Sequence, residues 1–125
     1  IANSLETKPI VGWMKLTLRA AVPKLRNLPT YRSLDLGNDA GAFSIGCFLV
    51  HPAHRKSGVA SALVGAAPQI VRAWGGRSID AYPHVVDRTM YDEEAWMGPA
   101  TIFRKAGFEK VAGENPYPVL RRSLL

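Results

Sequence analysis

The sequence predicts a single mixed α/β or α+β domain that contains at least one parallel pair of strands. The chain has 125 residues, enough for one compact domain and too few for two. A strand pattern at residues 42–51 is followed by a helical pattern at 59–74 and a second strand pattern at 77–82. A strand, a helix and a strand in this order favour a parallel crossover connection. We therefore treat residues 1–125 as one domain.

The first third of the chain predicts one strand and a short helical segment. Residues 10–19 contain apolar positions in near alternation and are rich in residue types that favour strands, such as Trp13. Residues 20–28 have apolar side chains three positions apart and Pro23 near their start, which favours a turn or two of helix. Residues 29–42 are rich in Pro, Gly, Asn and Asp, and they predict a connection.

The remainder of the chain predicts two further helices and four further strands. Residues 42–51 are almost continuously apolar, which is typical of a strand buried on both faces. Residues 59–74 place apolar side chains every three or four positions, and Gly75 and Gly76 end that helix. The other predicted elements are a strand at 77–82, a loop at 84–97, a helix at 99–106, and strands at 108–112 and 118–124.

The composition narrows the function classes without choosing among them. The formal charge is +6, from 16 Lys and Arg against 10 Asp and Glu, which favours anionic partners such as nucleic acid or a phosphate-rich small molecule. A basic nucleic-acid-binding domain is therefore one alternative, although the basic residues are scattered. The apolar runs are too short for a membrane span. A single cysteine cannot form an internal disulfide, which is typical of a reducing cytoplasm.

The segment from residue 47 to residue 63 predicts an anion-binding site. It consists of a buried strand, a basic loop with a glycine, and a helix that starts at once. The first amide groups of a helix have no partners inside it, and the aligned peptide dipoles add partial positive charge there. Gly58 allows the backbone to approach a ligand closely, and Arg55 and Lys56 add charge. A phosphate group is therefore the expected ligand.

The spacing of this segment excludes two common phosphate motifs and matches a third. The nucleotide loop GxxxxGK[ST] fails because the candidate at residues 41–46 is followed by Cys47, and GxGxxG is absent. The pattern Arg55-x-x-Gly58-x-Ala60 instead resembles the acyl-CoA signature of the GNAT superfamily of N-acetyltransferases. The resemblance extends over residues 10–124. Two further motifs carry the resemblance: Val50-His51-Pro52 and Phe103-Arg104-Lys105-Ala106-Gly107-Phe108. Two others are typical of a bacterial group of relatives, namely Gly12-Trp13 and Ala81-Tyr82-Pro83.

The resemblance implies a mostly antiparallel twisted sheet with flanking helices and a central splayed pair of parallel strands, at residues 42–51 and 77–82. It also implies transfer of an acetyl or acyl group from acetyl-CoA to an amine of a small molecule or peptide, by direct attack in a ternary complex. No nucleic acid, membrane or metal partner is expected, the location is expected to be cytoplasmic, and a homodimer is left open. Since the chain begins at Ile1, we expect the family's N-terminal strand and helices to be missing.

The coenzyme-binding residues follow from the same resemblance. Backbone amides from Arg55 to Ser61 are expected to surround the pyrophosphate. The backbone of Phe48 and Val50 is expected to pair with the pantetheine arm. The implied coenzyme-binding residues are Phe48, Val50, Arg55, Lys56, Ser57, Gly58, Val59, Ala60 and Ser61.

The catalytic residues are less well defined by the resemblance. Many relatives have a tyrosine at the position of Phe103, and phenylalanine cannot return a proton to the departing thiolate. Tyr82, His84 and Glu94 are the candidate catalytic groups, with Tyr91 and Glu93 as further possibilities. Packing, solvation or placement near a helix start also explains each of them. A coenzyme-binding module without transfer activity is therefore the alternative function.

Overall fold

The computed structural model describes residues 12–50, 58–85 and 100–125, and within them five strands form one sheet flanked by helices. The strands are β1 Gly12–Leu18, β2 Ala42–Val50, β3 Ser78–Ala81, β4 Glu109–Ala112 and β5 Val119–Ser123. The helices are α1 Lys24–Asn27, α2 Pro29–Arg32, α3 Val59–Ala73 and α4 Ala100–Lys105, with a 3₁₀ turn at Arg19–Ala21.

The strand order β1-β2-β3-β5-β4 confirms the predicted fold class. β2 and β3 are parallel neighbours, and the connection between them contains α3, as the strand–helix–strand pattern predicts. The other three neighbouring pairs are antiparallel. The sheet is therefore mixed and mostly antiparallel, with its parallel pair beside the centre.

The parallel pair is joined over only three residues. The register pairs Ala42 with Ser78, Phe43 with Ile79, and Ser44 with Asp80, whereas β2 itself continues to Val50. We call the space beside residues 45–50 of β2, on the side towards β3, the strand gap. Its closed end lies at Ser44, the last residue of β2 that the register pairs with β3.

β2 also contains a β-bulge just beyond the closed end of the strand gap. Met14 pairs with Phe48 and Leu16 pairs with Ile45, so that Gly46 and Cys47 together oppose Lys15. A bulge bends its strand and increases the local twist, and bulges are common next to active sites. The bend therefore falls where β2 leaves β3.

Two apolar clusters pack on the sheet. The larger cluster includes residues of α3 and α4, and its buried members include Val64, Val71, Ile79, Phe103 and Leu120. The smaller cluster contains the buried residues Tyr31, Tyr82 and Val119, with partly buried side chains from the segment between β1 and β2. This second cluster reaches the closed end of the strand gap through Tyr82.

The segment predicted as a connection at residues 29–42 contains one short helix, α2, which sequence reasoning missed. Leu28 is extended at the N-cap, and Pro29 occupies the first turn, where its lack of an N–H costs nothing. Tyr31 in α2 is buried and meets the ring of Tyr82 edge-on, with centroids 5.7 Å apart. This contact with a distant residue explains why local composition pointed to a loop instead. The loop predicted at 84–97 lies largely outside the described residues.

Candidate functional site

The leading end of α3 contains backbone donors that have no partner within the helix. The carbonyl of Gly58 accepts the first intrahelical bond, from the amide of Ala62 at 3.0 Å. The amides of Val59, Ala60 and Ser61 precede that bond and have no partner within the helix. No side chain among residues 12–50, 58–85 and 100–125 caps this end, and its first turn contains no acidic residue. The partial positive charge of the helix dipole is thus left without a neutralising side chain in that turn.

Gly58 has a backbone conformation that favours glycine. Its φ of +87° lies in the left-handed region, where a β-carbon is strained. Among the described residues, apart from its own chain neighbours, none has an atom within 4 Å of a β-carbon placed on Gly58. The part of the chain that the structure describes therefore leaves the Gly58 side of this helix end uncovered.

Several of the sequence-predicted site residues cannot be located more closely. Phe48 and Val50 belong to β2, of which only the backbone is described at these two positions. Val59, Ala60 and Ser61 form the first turn of α3. The predicted residues Arg55, Lys56, Ser57, Tyr91, Glu93 and Glu94 lie outside the described residues.

Tyr82 lies at the closed end of the strand gap. It is only 1% exposed, and its hydroxyl oxygen is 2.5 Å from Oγ of Ser44, where the pairing between β2 and β3 ends. Burial raises the pKa of Tyr82, and the hydrogen bond to Ser44 offsets only part of this effect. The phenol therefore stays protonated at neutral pH. It can donate a proton, but it cannot act as a base.

His84 packs against the turn that joins β4 and β5. Its ring stacks on that of Tyr117, with centroids 4.8 Å apart and an interplanar angle of 14°. The neighbouring amide of Val85 donates to the carbonyl of Pro116 at 2.7 Å. The segment after Tyr82 is therefore attached to the β4–β5 turn, and the stacking partner of His84 is part of that turn.

Asp80, two residues before Tyr82, is a buried carboxylate that sequence reasoning missed, and it binds two arginines. Asp80 is fully buried in β3. Its Oδ1 accepts from Nε of Arg121 at 2.6 Å, and its Oδ2 accepts from Nη2 of Arg121 at 3.0 Å and from Nη1 of Arg19 at 3.2 Å. The arginines also donate to the backbone carbonyl oxygens of Leu36, Gly37 and Asn38. The network thus holds the segment before β2 against the sheet, and a charged residue inside a short strand was its only signal in the sequence.

Lys24 is the second residue that sequence reasoning missed. Its Nζ lies 4.7 Å from the ring centroid of Tyr82 and 5.5 Å from that of Tyr31, which are cation–π distances. Burial lowers the pKa of Lys24 to about 8, and an electrostatic interaction with Cys47 opposes this shift. The position of Lys24 between Pro23 and the apolar Leu25 gave no hint of this contact.

We expect Tyr82→Phe to lower the free energy of unfolding by about 1–3 kcal/mol, because it leaves the buried hydroxyl of Ser44 without its partner. Urea denaturation of the single variants and of the Tyr82→Phe/Ser44→Ala double variant measures this. The double variant is expected to lose less than the sum of the two single changes, since neither partner remains unsatisfied. Additive losses would show that the two hydroxyls do not depend on each other.

Comparisons with known proteins agree with this architecture. The sequence model described as "Acetyltransferase (GNAT) family" matches residues 6–95, which is more than half of the chain. No curated protein matches the chain. Within the described residues, no group of three or more His, Cys, Asp or Glu is arranged to hold a metal ion, and no helix is long and apolar enough to cross a membrane.

Solved structures of acetyltransferases share the fold. A provisionally assigned acetyltransferase from Staphylococcus aureus is 24% identical with a TM-score of 0.61, over 96% of this chain and 68% of that one. A provisionally assigned GNAT-family acetyltransferase from Desulfovibrio desulfuricans is 19% identical with a TM-score of 0.53, over 74% of this chain and 57% of that one. A GNAT-family acetyltransferase from Listeria monocytogenes is 10% identical with a TM-score of 0.61, over 94% of this chain and 60% of that one. The chain thus spans about three fifths of the length of these proteins.

Proposed function

The chain belongs to the acetyltransferase (GNAT) family, and from this we propose that it transfers an acetyl group from acetyl-CoA to an amine of a small molecule or peptide. The observation that supports the proposal most is the leading end of α3. Its first amides, which have no partner within the helix, suit a diphosphate, and so do the left-handed Gly58 and the lack of an acidic side chain in the first turn. The basic chain charge of +6 favours the same anionic ligand.

In this proposal the pyrophosphate of coenzyme A binds at the first turn of α3, at Val59, Ala60 and Ser61, with Gly58 next to it. Arg55, Lys56 and Ser57 precede this turn in sequence and are proposed to bind the same pyrophosphate. The pantetheine arm then enters the strand gap. Beyond Ser44, the backbone groups of β2 on the β3 side have no partner in the β3 register, and the arm's amides supply hydrogen-bonding groups that suit them. Phe48 and Val50 are the proposed partners.

The proposed reaction is direct attack of a neutral amine on the thioester carbonyl carbon. A carbon–nitrogen bond forms and the carbon–sulfur bond breaks. The thiolate of coenzyme A takes a proton from the proposed donor and the amine loses one to the proposed base, so that one proton passes in total from nitrogen to sulfur. Tyr82 is the proposed proton donor, because its phenol is protonated at neutral pH and lies at the closed end of the gap. His84 and Glu94 remain the proposed groups for removing a proton from the amine. Holding the two reactants together supplies much of the rate enhancement.

A coenzyme-binding module without transfer activity is the second candidate, and Phe103 favours it. The residue has no hydroxyl, is fully buried, and packs edge-on against Phe108 with ring centroids 5.4 Å apart. It is therefore part of the core cluster instead of the proton-transfer chemistry. A chain with the coenzyme site but no effective acid would bind acetyl-CoA without turning it over.

The proposal is tested by adding acetyl-CoA to the full chain and measuring both the melting temperature and the release of free thiol with a panel of amines. A ligand at about 100 times its Kd stabilises the folded state by about 2.7 kcal/mol, so binding is expected to raise the melting temperature clearly. Pantetheine, which lacks the diphosphate, is the matched control and is expected to have little effect.

Thiol release that depends on both the protein and an amine would support the transferase. Stabilisation without thiol release from any amine would favour the binding module instead. If acetyl-CoA produced neither effect, both candidate functions would be wrong. If the chain bound nucleic acid with an affinity that falls steeply with salt, and coenzyme A did not compete, a basic nucleic-acid-binding domain would be indicated instead.

A further inference from the structure

Lys24 packs on the ring of Tyr82, the residue whose hydroxyl lies at the closed end of the strand gap. Its ammonium contacts the ring of Tyr82, whose hydroxyl is hydrogen-bonded to Ser44, the last β2 residue paired with β3. It also interacts electrostatically with Cys47 in the bulge of β2. The ring contact and the electrostatic interaction thus place this amine near the end of the pairing between β2 and β3.

The geometry of β2 brings a bound thioester towards this amine. From Val50 to Ser44 the strand covers six residues, or about 20 Å at the usual rise of a strand. An arm that starts from the first turn of α3 and runs along β2 is directed at the closed end of the gap. Asp80, paired with Ser44 there, and the buried Tyr82 limit how far the arm can continue. In the proposed binding mode, the acyl group at the tip of the arm would therefore lie near Ser44 and Tyr82, the residue that Lys24 contacts.

The surroundings of Lys24 favour the reactive, neutral form of its amine. Burial lowers its pKa to about 8. Roughly a tenth of the side chains are then neutral at pH 7, whereas for an ordinary lysine the fraction is smaller by a factor of some hundreds. Burial raises the pKa of Tyr31 and of Tyr82, whose rings the ammonium contacts, so neither phenol adds negative charge beside it at neutral pH. The electrostatic interaction with Cys47 opposes part of the lowering of the Lys24 pKa.

We propose that Lys24 is acetylated at Nζ by the acetyl-CoA bound in its own chain, an inference that rests on the proposed function. The neutral amine attacks the thioester carbonyl carbon, a carbon–nitrogen bond forms, and the carbon–sulfur bond breaks. Coenzyme A leaves as the thiolate and takes up the proton lost by the nitrogen, so no further reactant is needed. The products are Nζ-acetyl-Lys24 and free coenzyme A.

Acetylation would change the chemistry of this end of the gap. The amide that forms has no charge, so the cation–π contacts with Tyr31 and Tyr82 are lost. The acetyl group also adds volume beside the point that an acceptor amine must reach. The modified chain is therefore expected to bind acetyl-CoA but to transfer its acyl group to external amines more slowly.

The inference is tested by incubating the full chain with acetyl-CoA alone and locating acetyl groups by peptide mass spectrometry over time. Lys110 is the internal reference, because its side chain is 44% exposed and pairs with Glu114 at 3.4 Å, on a strand at the far edge of the sheet. We expect Lys24 to be acetylated at least tenfold faster than Lys110. The rate should saturate with acetyl-CoA, rise with pH towards a plateau above about 8, and be independent of protein concentration.

Matched variants separate this proposal from simple chemical acetylation. Lys24→Arg keeps the positive charge and should abolish the fast modification, whereas Lys110→Arg should leave it unchanged. Unfolding the chain in urea should reduce the rate at Lys24 to that at Lys110. If Lys24 reacted as fast in urea, or without saturation by acetyl-CoA, the modification would not arise from a bound coenzyme and the inference would be wrong.

The outcomes also separate the inference from the function on which it rests. If acetyl-CoA raised the melting temperature while Lys24 reacted no faster than Lys110, the inference would fail and the proposed coenzyme site would stand. If acetyl-CoA neither stabilised the chain nor modified Lys24, the proposed function would fail as well.

Discussion

Asp80→Ala is expected to lower the free energy of unfolding by about 3–5 kcal/mol, because it leaves two arginines without their shared carboxylate. Asp80 is fully buried, and Arg19, which donates to it, is only 3% exposed. Arg121 donates to both of its oxygens, and the hydrogen bond to Asp80 raises the pKa of that guanidinium further. Removing a partner from a buried ion pair costs far more than removing an exposed pair, since the remaining charge cannot be solvated.

Asp39→Ala is the matched control for this prediction. Its carboxylate binds Nε of the same Arg19 at 3.0 Å, but its side chain is 61% exposed. Water replaces it readily, and the expected loss is below about 1 kcal/mol. Urea denaturation followed by circular dichroism gives both values, provided that the slope with urea is unchanged. Equal losses for the two variants would mean that Asp80 does not hold the network together.

Gly58→Val is expected to weaken the binding of acetyl-CoA at least tenfold, which is about 1.4 kcal/mol or more of binding free energy. The φ of +87° at this position is strongly unfavourable for a β-branched residue, so the leading end of α3 would have to adjust. The new side chain would also project into the open space where we place the diphosphate. Titration of acetyl-CoA, followed by calorimetry or by the melting temperature, measures the change.

Gly75→Val separates the two causes, because Gly75 follows the other end of the same helix. It has a φ of +80° and also open space around its β-carbon position, so both variants carry a similar backbone strain. Only Gly58 adjoins the free amides of the first turn. We therefore expect both variants to lose some stability and only Gly58→Val to lose affinity. Normal affinity of Gly58→Val, or an equal loss in Gly75→Val, would contradict the placement of the pyrophosphate.

Much of the fold could be predicted because its signals are local. The apolar spacing in α3 and the continuous apolar run in β2 reflect helix and strand periods, and these do not depend on distant partners. The small helix α2 was missed because its reason is not local: Tyr31 packs against Tyr82, which lies in another part of the chain. Propensity is a weak guide to such short helices, since tertiary packing supplies most of their stability.

The sequence by itself determined the order of the five strands, the parallel crossover and the long helix α3, because each follows from residue spacing along the chain. Only the tertiary structure decided where the parallel strands separate and which groups meet there. Tyr82 and Ser44 are 38 positions apart, and Arg19 and Asp80 are 61 apart. Burial then changes what these groups do, since Lys24 becomes a weaker base and Tyr82 a weaker acid than in water. No local pattern records such effects, because they depend on how much solvent the folded chain removes.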